Sequence, residues 1–154
     1  MKQRRLGKHG PMISPIGIGA MSFSNFYGQT SEADSHAILY TALDEGVTHI
    51  DTADIYGPLT SEKVIGSFLA RQGSQRNDMF SIATKAGIAR DADTGKRYFD
   101  NSATYLESRL DASLTRLGVD HVDLFYVHRR DADTPIEEVA DTLAALVKSG
   151  KTRS

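Results

Sequence analysis

Four side chains in this sequence have the types and the spacing needed to donate a proton to a carbonyl oxygen. Asp51, Lys85 and His128 each stand where a short apolar run ends, and Tyr56 lies five positions after Asp51. Reduction of a carbonyl group develops negative charge on its oxygen, which must be stabilised and then protonated. A carboxylate, an ammonium group, an imidazole and a phenol together supply these functions, so the four residues are candidate catalytic residues.

Each of the four residues has an expected role in such a reaction. A free tyrosine side chain, with a pKa of about 10, gives up its proton reluctantly at neutral pH. The Lys85 ammonium group would stabilise the phenolate form of Tyr56, and Asp51 would hold Lys85 charged and in place. His128 would donate a hydrogen bond that orients the substrate oxygen. No side chain supplies a hydride, so a reduction implies a nicotinamide cofactor.

Taken singly, each candidate fits an ordinary structural role. Asp51 fits a cap, Tyr56 fits a turn before Gly57 and Pro58, and a lysine at a strand end is usually solvated. A histidine such as His128 often bonds to a neighbouring loop. The joint arrangement at three predicted strand ends favours an active site over four independent coincidences.

The elements that must position these residues are predicted from an alternation of short apolar runs with helix-period segments. This alternation is typical of parallel β/α units. The sequence predicts a hairpin and a strand at 2–20, helices from Ser31 to Gly46 and at 61–71, and strands at 47–50, 79–84 and 122–127. It also predicts a long loop at 86–101, a helix with Leu106, Leu110, Leu114 and Leu117 on one face, and a helix from Thr134 to Gly150.

Capping signals set two of the predicted helix starts. Ser31, with Asp34 three residues later, forms a capping box at the first helix. Thr134 predicts a cap for the fourth helix, with Pro135 as its first residue and Glu137 completing the box.

Four β/α units agree with two architectures. A (β/α)8 TIM barrel takes about 250 residues, so a chain of 154 residues holds only its first half. A doubly wound sheet of four strands fits the length without a missing part. We favour the barrel family, with the first four units preceded by an N-terminal β-hairpin, because barrel active sites form where the strands end.

Several segments resemble the aldo-keto reductase family, in the order in which that family carries them. The stretch from Gly46 to Gly57 resembles the family signature. The other similar segments are Ser61-Glu62, Ile65-Gly66, Ala83-Thr84-Lys85, Leu114 to His128 and His128 to Asp131. The resemblance implies that Tyr56 is the general acid, that Lys85 and Asp51 tune it and that His128 orients the carbonyl group.

The same resemblance implies the cofactor and the substrate class. It implies NADPH, bound without a Rossmann fingerprint, and an aldehyde or ketone as substrate. The segment Gly17 to Ser22 is not a GxGxxG loop, so a lone GxG is weak evidence of dinucleotide binding. By resemblance, Ala20, Met21 and Asp51 lie against the nicotinamide ribose.

Two departures from the family pattern stand out. Val47 and Thr48 occupy positions where some members carry an aromatic residue and an arginine, which indicates a different branch. Residues 150–154 resemble the lead-in to a fifth strand, so we expect a single reductase-like domain over 1–154 that stops before that strand. Much of the family's phosphate and adenine contact would then be absent.

Composition narrows the class of protein. The formal net charge is −2, from 18 basic and 20 acidic residues, which argues against a nucleic-acid binder. The chain has no cysteine, no signal-peptide pattern and no apolar run near the ~20 residues of a membrane span. We therefore expect a cytoplasmic protein without nucleic-acid or membrane partners.

The remaining histidines suggest no metal site, because no pair has convincing spacing with a third ligand. His36 is predicted on a helix and His49 in a strand, and His9 and His121 near turns. The charged segment 90–97 is expected to be a mobile loop that covers the substrate.

Two alternatives to an enzyme stay open at this point. Some members of the family are cofactor-binding, redox-sensing subunits of potassium channels, and the chain could also be an inactive fragment. Exposed strand edges invite pairing, so a folded half-barrel is expected to self-associate through them.

Overall fold

The structure, a computed structural model, describes residues 1–8, 10–57, 59–73 and 78–154. His9 and Pro58, which the sequence places in turns, lie outside the described residues. In chain order the elements are β1 (Arg4–Arg5), β2 (Met12–Ile13), β3 (Ile18–Gly19), a 3-10 helix (Ala20–Ser24), α1 (Glu32–Asp44), β4 (His49–Asp51), α2 (Thr60–Ala70), β5 (Ser81–Ala86), β6 (Ile88–Arg90), β7 (Arg97–Phe99), α3 (Ala103–Leu117), β8 (Leu124–Val127) and α4 (Ile136–Lys148).

Four parallel strands form the main sheet, in the order β3-β4-β5-β8. Spatial order thus follows chain order, with α1, α2 and α3 connecting successive strands. A doubly wound sheet would reverse its direction of growth at a switch point, and none occurs among these four strands. The architecture is the first four β/α units of a TIM barrel, preceded by the antiparallel β1-β2 hairpin, as predicted.

The two faces of the sheet differ in the side chains that they carry. Ile50 pairs with Ile82 in register, and both are buried on the helix side. Lys85 and Tyr126 pair in register on the opposite face, because successive side chains of a strand point to opposite faces. Tyr126 is 43 % exposed, so this second face, which a barrel would turn inward, stays open.

The main hydrophobic core lies between the sheet and the helices. The buried face of α2 is part of it and consists of Val64, Ile65, Phe68 and Leu69. The helix α2 approaches α3 closely at Gly66, where an added Cβ would lie 2.0 Å from the Arg116 carbonyl oxygen. A glycine at this position lets the two helices pack against each other and against the sheet.

Capping signals were right for the first helix and wrong for the fourth. Ser31 caps α1 with a complete capping box to Asp34. The fourth helix begins one residue later than predicted, with Pro135 as its cap and no side-chain capping bond. Thr134 instead donates to Asp131 Oδ2 at 2.6 Å, so a competing turn upstream takes the hydroxyl group.

Other element bounds also differ from the predictions. The strand predicted at 47–50 lies at His49–Asp51, and the helix predicted at 61–71 lies at Thr60–Ala70. The strand predicted at 79–84 lies at Ser81–Ala86, because its register with β4 and β8 fixes it two residues later. The strand predicted at 122–127 lies at Leu124–Val127. The expected loop at 86–101 contains the hairpin β6-β7, closed by pairing of Arg90 with Arg97.

The expected lead-in to a fifth strand lies beside β8. Val122 forms a parallel bridge with Thr152, and Phe125 N donates to the Ser154 carbonyl oxygen at 3.0 Å. This edge of the sheet is therefore covered in part, whereas the expectation was that it would be open. In the described ranges, no helix has the length and apolar character needed to cross a membrane.

Candidate functional site

The four candidate catalytic residues lie at the carboxyl ends of consecutive strands. Asp51 is the last residue of β4, Lys85 is the second-last residue of β5 and His128 directly follows β8. Tyr56 lies in the loop between β4 and α2. We call Asp51, Tyr56, Lys85 and His128 the strand-end cluster.

Lys85 is the centre of the strand-end cluster. Its Nζ donates hydrogen bonds to Asp51 Oδ1, to the Thr52 carbonyl oxygen at 2.7 Å and to the Tyr56 hydroxyl oxygen at 3.3 Å. The Lys85 side chain is 13 % exposed and that of Asp51 is 40 % exposed. The Lys85 ammonium group is thus largely shielded from solvent and held by its three hydrogen-bond partners. The Asp51 carboxylate remains partly exposed.

Backbone hydrogen bonds fix the loop that carries Tyr56. Thr52 N donates to the Ala83 carbonyl oxygen at 2.9 Å, and Asp54 N donates to that of Lys85 at 3.1 Å. The loop therefore continues to pair with β5 after β4 has ended. The Tyr56 carbonyl oxygen then accepts from Thr60 N at 3.0 Å at the start of α2, which connects the tyrosine to the helix.

A close approach occurs directly after Tyr56. Gly57 has φ +80°, and an added Cβ would lie 2.4 Å from Ser24 Cβ at the end of the 3-10 helix. A glycine suits both the positive φ and the contact. The loop of Tyr56 thus packs against the segment that follows β3.

His128 lies beside Tyr56. Its backbone N donates to the Ala86 carbonyl oxygen at 2.7 Å, and its ring meets that of Tyr56 edge to face, with centroids 5.8 Å apart. Burial lowers the pKa of His128, and the positive charges of Lys85 and Arg129 lower it further. The folded state therefore favours the neutral imidazole, which has one N–H to donate. Its Nδ1 is buried without a partner among the described residues.

The expected cofactor-binding residues surround the start of the 3-10 helix. Ala20 is fully buried, and its carbonyl oxygen accepts from Ser61 Oγ at 2.8 Å. Ser61 Oγ also lies 2.9 Å from Thr52 Oγ1, which connects Ala20 to the segment after Asp51. Met21 is partly buried, and its Sδ accepts from the Tyr27 hydroxyl group at 3.8 Å.

Behind the strand-end cluster lie two buried ion pairs that the sequence analysis missed. Arg109 Nε donates to Asp54 Oδ2 at 2.8 Å, and Arg116 Nε donates to Glu62 Oε2 at 2.7 Å. Both carboxylate side chains are 0 % exposed. The two arginines lie seven residues apart on α3, which places them on one face of the helix and was the available signal.

These buried pairs also contact the sheet. Thr84 Oγ1, next to Lys85 in β5, donates to Glu62 Oε1 at 2.6 Å. Burial raises the pKa of the Asp54 carboxyl group, and the hydrogen bond and charge of Arg109 oppose that rise. Asp54 and Glu62 therefore tie α2, α3 and the Tyr56 loop to the strand that carries Lys85.

Two other candidate features lie apart from the strand-end cluster. An apolar groove of about 530 Å³ runs along α1, between residues that include Ile16, Ile38 and Val47. None of the four cluster residues lines it. In the described part of the chain, no three His, Cys, Asp or Glu side chains are placed to hold a metal ion.

The fold is that of the first half of a β/α barrel, with the strand-end cluster at the carboxyl ends of its strands. The chain belongs to the aldo/keto reductase family, whose model matches residues 15–154. A curated relative, aldo-keto reductase yakc of Schizosaccharomyces pombe (strain 972), whose name specifies NADP(+), is 40 % identical over 141 residues, which are 92 % of this chain and 41 % of the relative. The L-glyceraldehyde 3-phosphate reductase of Escherichia coli (strain K12) is 39 % identical over 153 residues, which are 98 % of this chain and 43 % of the relative.

A solved structure is also similar. An aldo-keto reductase from Bacillus halodurans, in its holo form, superimposes with a TM-score of 0.85 at 30 % identity, over 99 % of this chain and 48 % of that one. The chain thus spans less than half the length of these relatives.

Proposed function

We propose that the protein is an NADPH-dependent reductase of aldehydes or ketones, with Tyr56 as general acid. The observation that carries this proposal is the position of Lys85 Nζ, which bonds to both Asp51 Oδ1 and the Tyr56 hydroxyl group. A carboxylate, an ammonium group and a phenol that are hydrogen-bonded in this order are suited to protonating an alkoxide.

The residues present fit the nicotinamide end of the cofactor. The Asp51 carboxylate is partly exposed and able to accept from a ribose hydroxyl group. An added Cβ at Gly19 would meet nothing within 4 Å, so there is open space at the end of β3. Ala20, Met21 and Asp51 are the residues that would hold the nicotinamide ribose. The name of the yeast relative and the holo form of the solved relative support NADPH.

In the proposed reaction, NADPH supplies the hydride, and the chain's own residues handle the proton. Tyr56 donates its hydroxyl proton to the carbonyl oxygen as negative charge develops there. The Lys85 ammonium group stabilises the resulting phenolate, and Asp51 keeps Lys85 in position. The neutral His128 imidazole donates a hydrogen bond that orients the carbonyl group.

The experiment that tests the proposal is NADPH titration of the purified chain, followed by cofactor fluorescence and then by an aldehyde reduction assay. We expect saturable binding and turnover by the wild type. Tyr56→Phe should keep the binding and lose the turnover, because the hydroxyl group acts only on the substrate. Lys85→Met should also lose turnover.

Lys151→Met is the matched control for Lys85→Met. Like Lys85, Lys151 forms ion pairs, with Glu107 at 3.1 Å and Asp111 at 2.8 Å, but they lie on the outer surface. It should leave both binding and turnover unchanged. Absence of NADPH binding by a folded wild-type chain would contradict the proposal.

Two expectations about the chain as a whole are part of the same proposal. We propose that residues 1–154 form one cooperative domain and that copies associate through the open β3 edge and the exposed sheet face. Light scattering tests the second point, since a monodisperse monomer that unfolds cooperatively would rule it out.

A further inference from the structure

Asn101 is a buried residue that the proposed chemistry does not use. It lies just before α3 and is 1 % exposed. Its Nδ2 donates to the Arg129 carbonyl oxygen at 3.0 Å, and its Oδ1 accepts from Asp131 N at 2.7 Å. Only this orientation of the amide matches a donor to a carbonyl and an acceptor to an N–H. Both ends of the side chain thus bind the segment that follows His128.

The backbone on either side of His128 is therefore held at three points. The first is the bond from His128 N to the Ala86 carbonyl oxygen at 2.7 Å. The other two are the bonds of Asn101 to Arg129 and Asp131. The loop 129–131 belongs to no strand or helix. Without Asn101, the Arg129 carbonyl oxygen and Asp131 N would lose the side-chain partner that they have in this fold.

The neighbouring backbone is shaped to admit the Asn101 side chain. Gly87 has φ +112°, and an added Cβ would lie 2.9 Å from Asn101 Nδ2 and 3.4 Å from the Arg129 carbonyl oxygen. Asp100 N also donates to the Gly87 carbonyl oxygen at 3.2 Å. The end of β5, the start of α3 and the loop after β8 thus meet at the Asn101 amide.

The ring of His128 is attached to this backbone, one residue before Arg129. Its Nδ1 has no partner among the described residues, and its described side-chain contact in the cluster is the edge-to-face one with Tyr56. We propose that Asn101 is a positioning residue for His128, which it holds against Tyr56 by clamping residues 129–131. The inference deepens the proposed function and rests on it for the role of His128.

The test compares Asn101→Ala with wild type by nuclear magnetic resonance, reading the cross-relaxation between the His128 and Tyr56 rings. This readout needs neither cofactor nor turnover, so it can fail independently of the proposed function. We expect the ring-to-ring signal to fall at least threefold while the helical circular dichroism is kept. His128→Gln assigns the histidine resonance.

Ser102→Ala is the matched control, because Ser102 caps the same helix through Tyr105 N at 3.3 Å, and its described side-chain hydrogen bonds are to Asp100 and Tyr105 rather than to residues 129–131. It should leave the ring-to-ring signal unchanged. Asn101→Asp serves if the alanine variant fails to fold. The Asn101→Asp variant keeps the oxygen that accepts from Asp131 N but has no donor for the Arg129 carbonyl oxygen. We therefore expect it to weaken the His128–Tyr56 signal.

In the assayed enzyme, Asn101→Ala should lower kcat about tenfold with little change in NADPH binding, because misplaced catalytic groups reduce the rate more than the affinity. An unchanged His128–Tyr56 signal in both Asn101 variants would overturn the proposal. So would an equal loss of that signal in Ser102→Ala.

Discussion

Carboxylates paired with cationic side chains occupy two regions of the molecule, the strand-end cluster and the buried ion pairs, and the two regions differ in exposure. In the strand-end cluster, the Asp51 side chain is 40 % exposed and contacts Lys85 at the open edge of the sheet. In the buried ion pairs, Asp54 and Glu62 are fully buried and contact arginines of α3. Asp51 and Asp54 are only three residues apart.

The difference separates charges available for chemistry from charges that hold the fold together. A partly exposed carboxylate and the ammonium group beside it can contact a ligand. Substituting them should cost the protein little free energy of unfolding. A fully buried carboxylate that loses its cation is left with an uncompensated charge, which is strongly destabilising. Variants of the two regions should therefore affect different measurements.

The largest expected effect lies in the strand-end cluster and is confined to activity. Tyr56→Phe should lower turnover about 10²- to 10⁴-fold, which is the typical contribution of a general acid. Its free energy of unfolding should change by about 1 kcal/mol or less, because one hydroxyl group is removed. Aldehyde reduction and urea denaturation of the same samples measure both. A large loss of stability would remove the distinction between the two regions.

In the buried pairs, Arg116→Met should lower the free energy of unfolding by about 3–5 kcal/mol, because Glu62 keeps a buried charge without its cation. Urea denaturation followed by circular dichroism measures the loss. The control is Arg153→Met, since Arg153 is 60 % exposed and its bond to Asp123 lies on the surface. That variant should lose about 1 kcal/mol or less. Equal losses of unfolding free energy in Arg116→Met and Arg153→Met would contradict the structural role of the buried pair.

Arg109→Met should destabilise the protein in a pH-dependent way. Burial already raises the pKa of Asp54, and removal of the opposing arginine should raise it further. A carboxyl group with a raised folded-state pKa binds its proton more tightly in the folded state. Its stabilising contribution is therefore present at low pH and is lost as pH rises through that pKa. Denaturation at pH 5 and pH 8 should show the smaller deficit at pH 5.

The smallest expected effect concerns His128. Its folded-state pKa is lowered by burial and by two positive neighbours, so the folded state favours the neutral ring. This contribution to stability is present above the ordinary pKa of about 6.5 and is lost as pH falls through the lowered value. Wild type should lose more stability than His128→Gln between pH 7 and pH 5. If the free energies of unfolding of the two proteins changed with pH in the same way, the His128 ring would not be desolvated in the folded state.

Much of the strand-end cluster could be predicted because its positions follow the apolar pattern. Parallel strands end on one side of the sheet, so the ends of three apolar runs were enough to bring Asp51, Lys85 and His128 together. The helix starts were less reliable. Ser31 has a free capping partner, whereas the Thr134 hydroxyl group is taken by Asp131.

The hairpin β6-β7 and the buried pairs could not be predicted in this way. The segment 86–101 is charged and lacks an apolar pattern, yet Ile88 to Arg90 pairs with Arg97 to Phe99. In the sequence, Arg109 and Arg116 are indistinguishable from solvated helix residues. They are paired with buried carboxylates only because α2 and the Tyr56 loop pack against α3. Pairing and packing partners of this kind lie far apart along the chain.

The sequence by itself determined the four β/α units, the family and the identity of the strand-end cluster, because all of these are carried by local patterns and by segments in a fixed order. Only the tertiary structure decided which charged side chains are buried and which groups accept the hydrogen bonds of Lys85. It also decided that Asn101 binds the loop after His128. Burial and hydrogen bonding depend on groups from distant parts of the chain, and their geometry is fixed when the helices pack on the sheet.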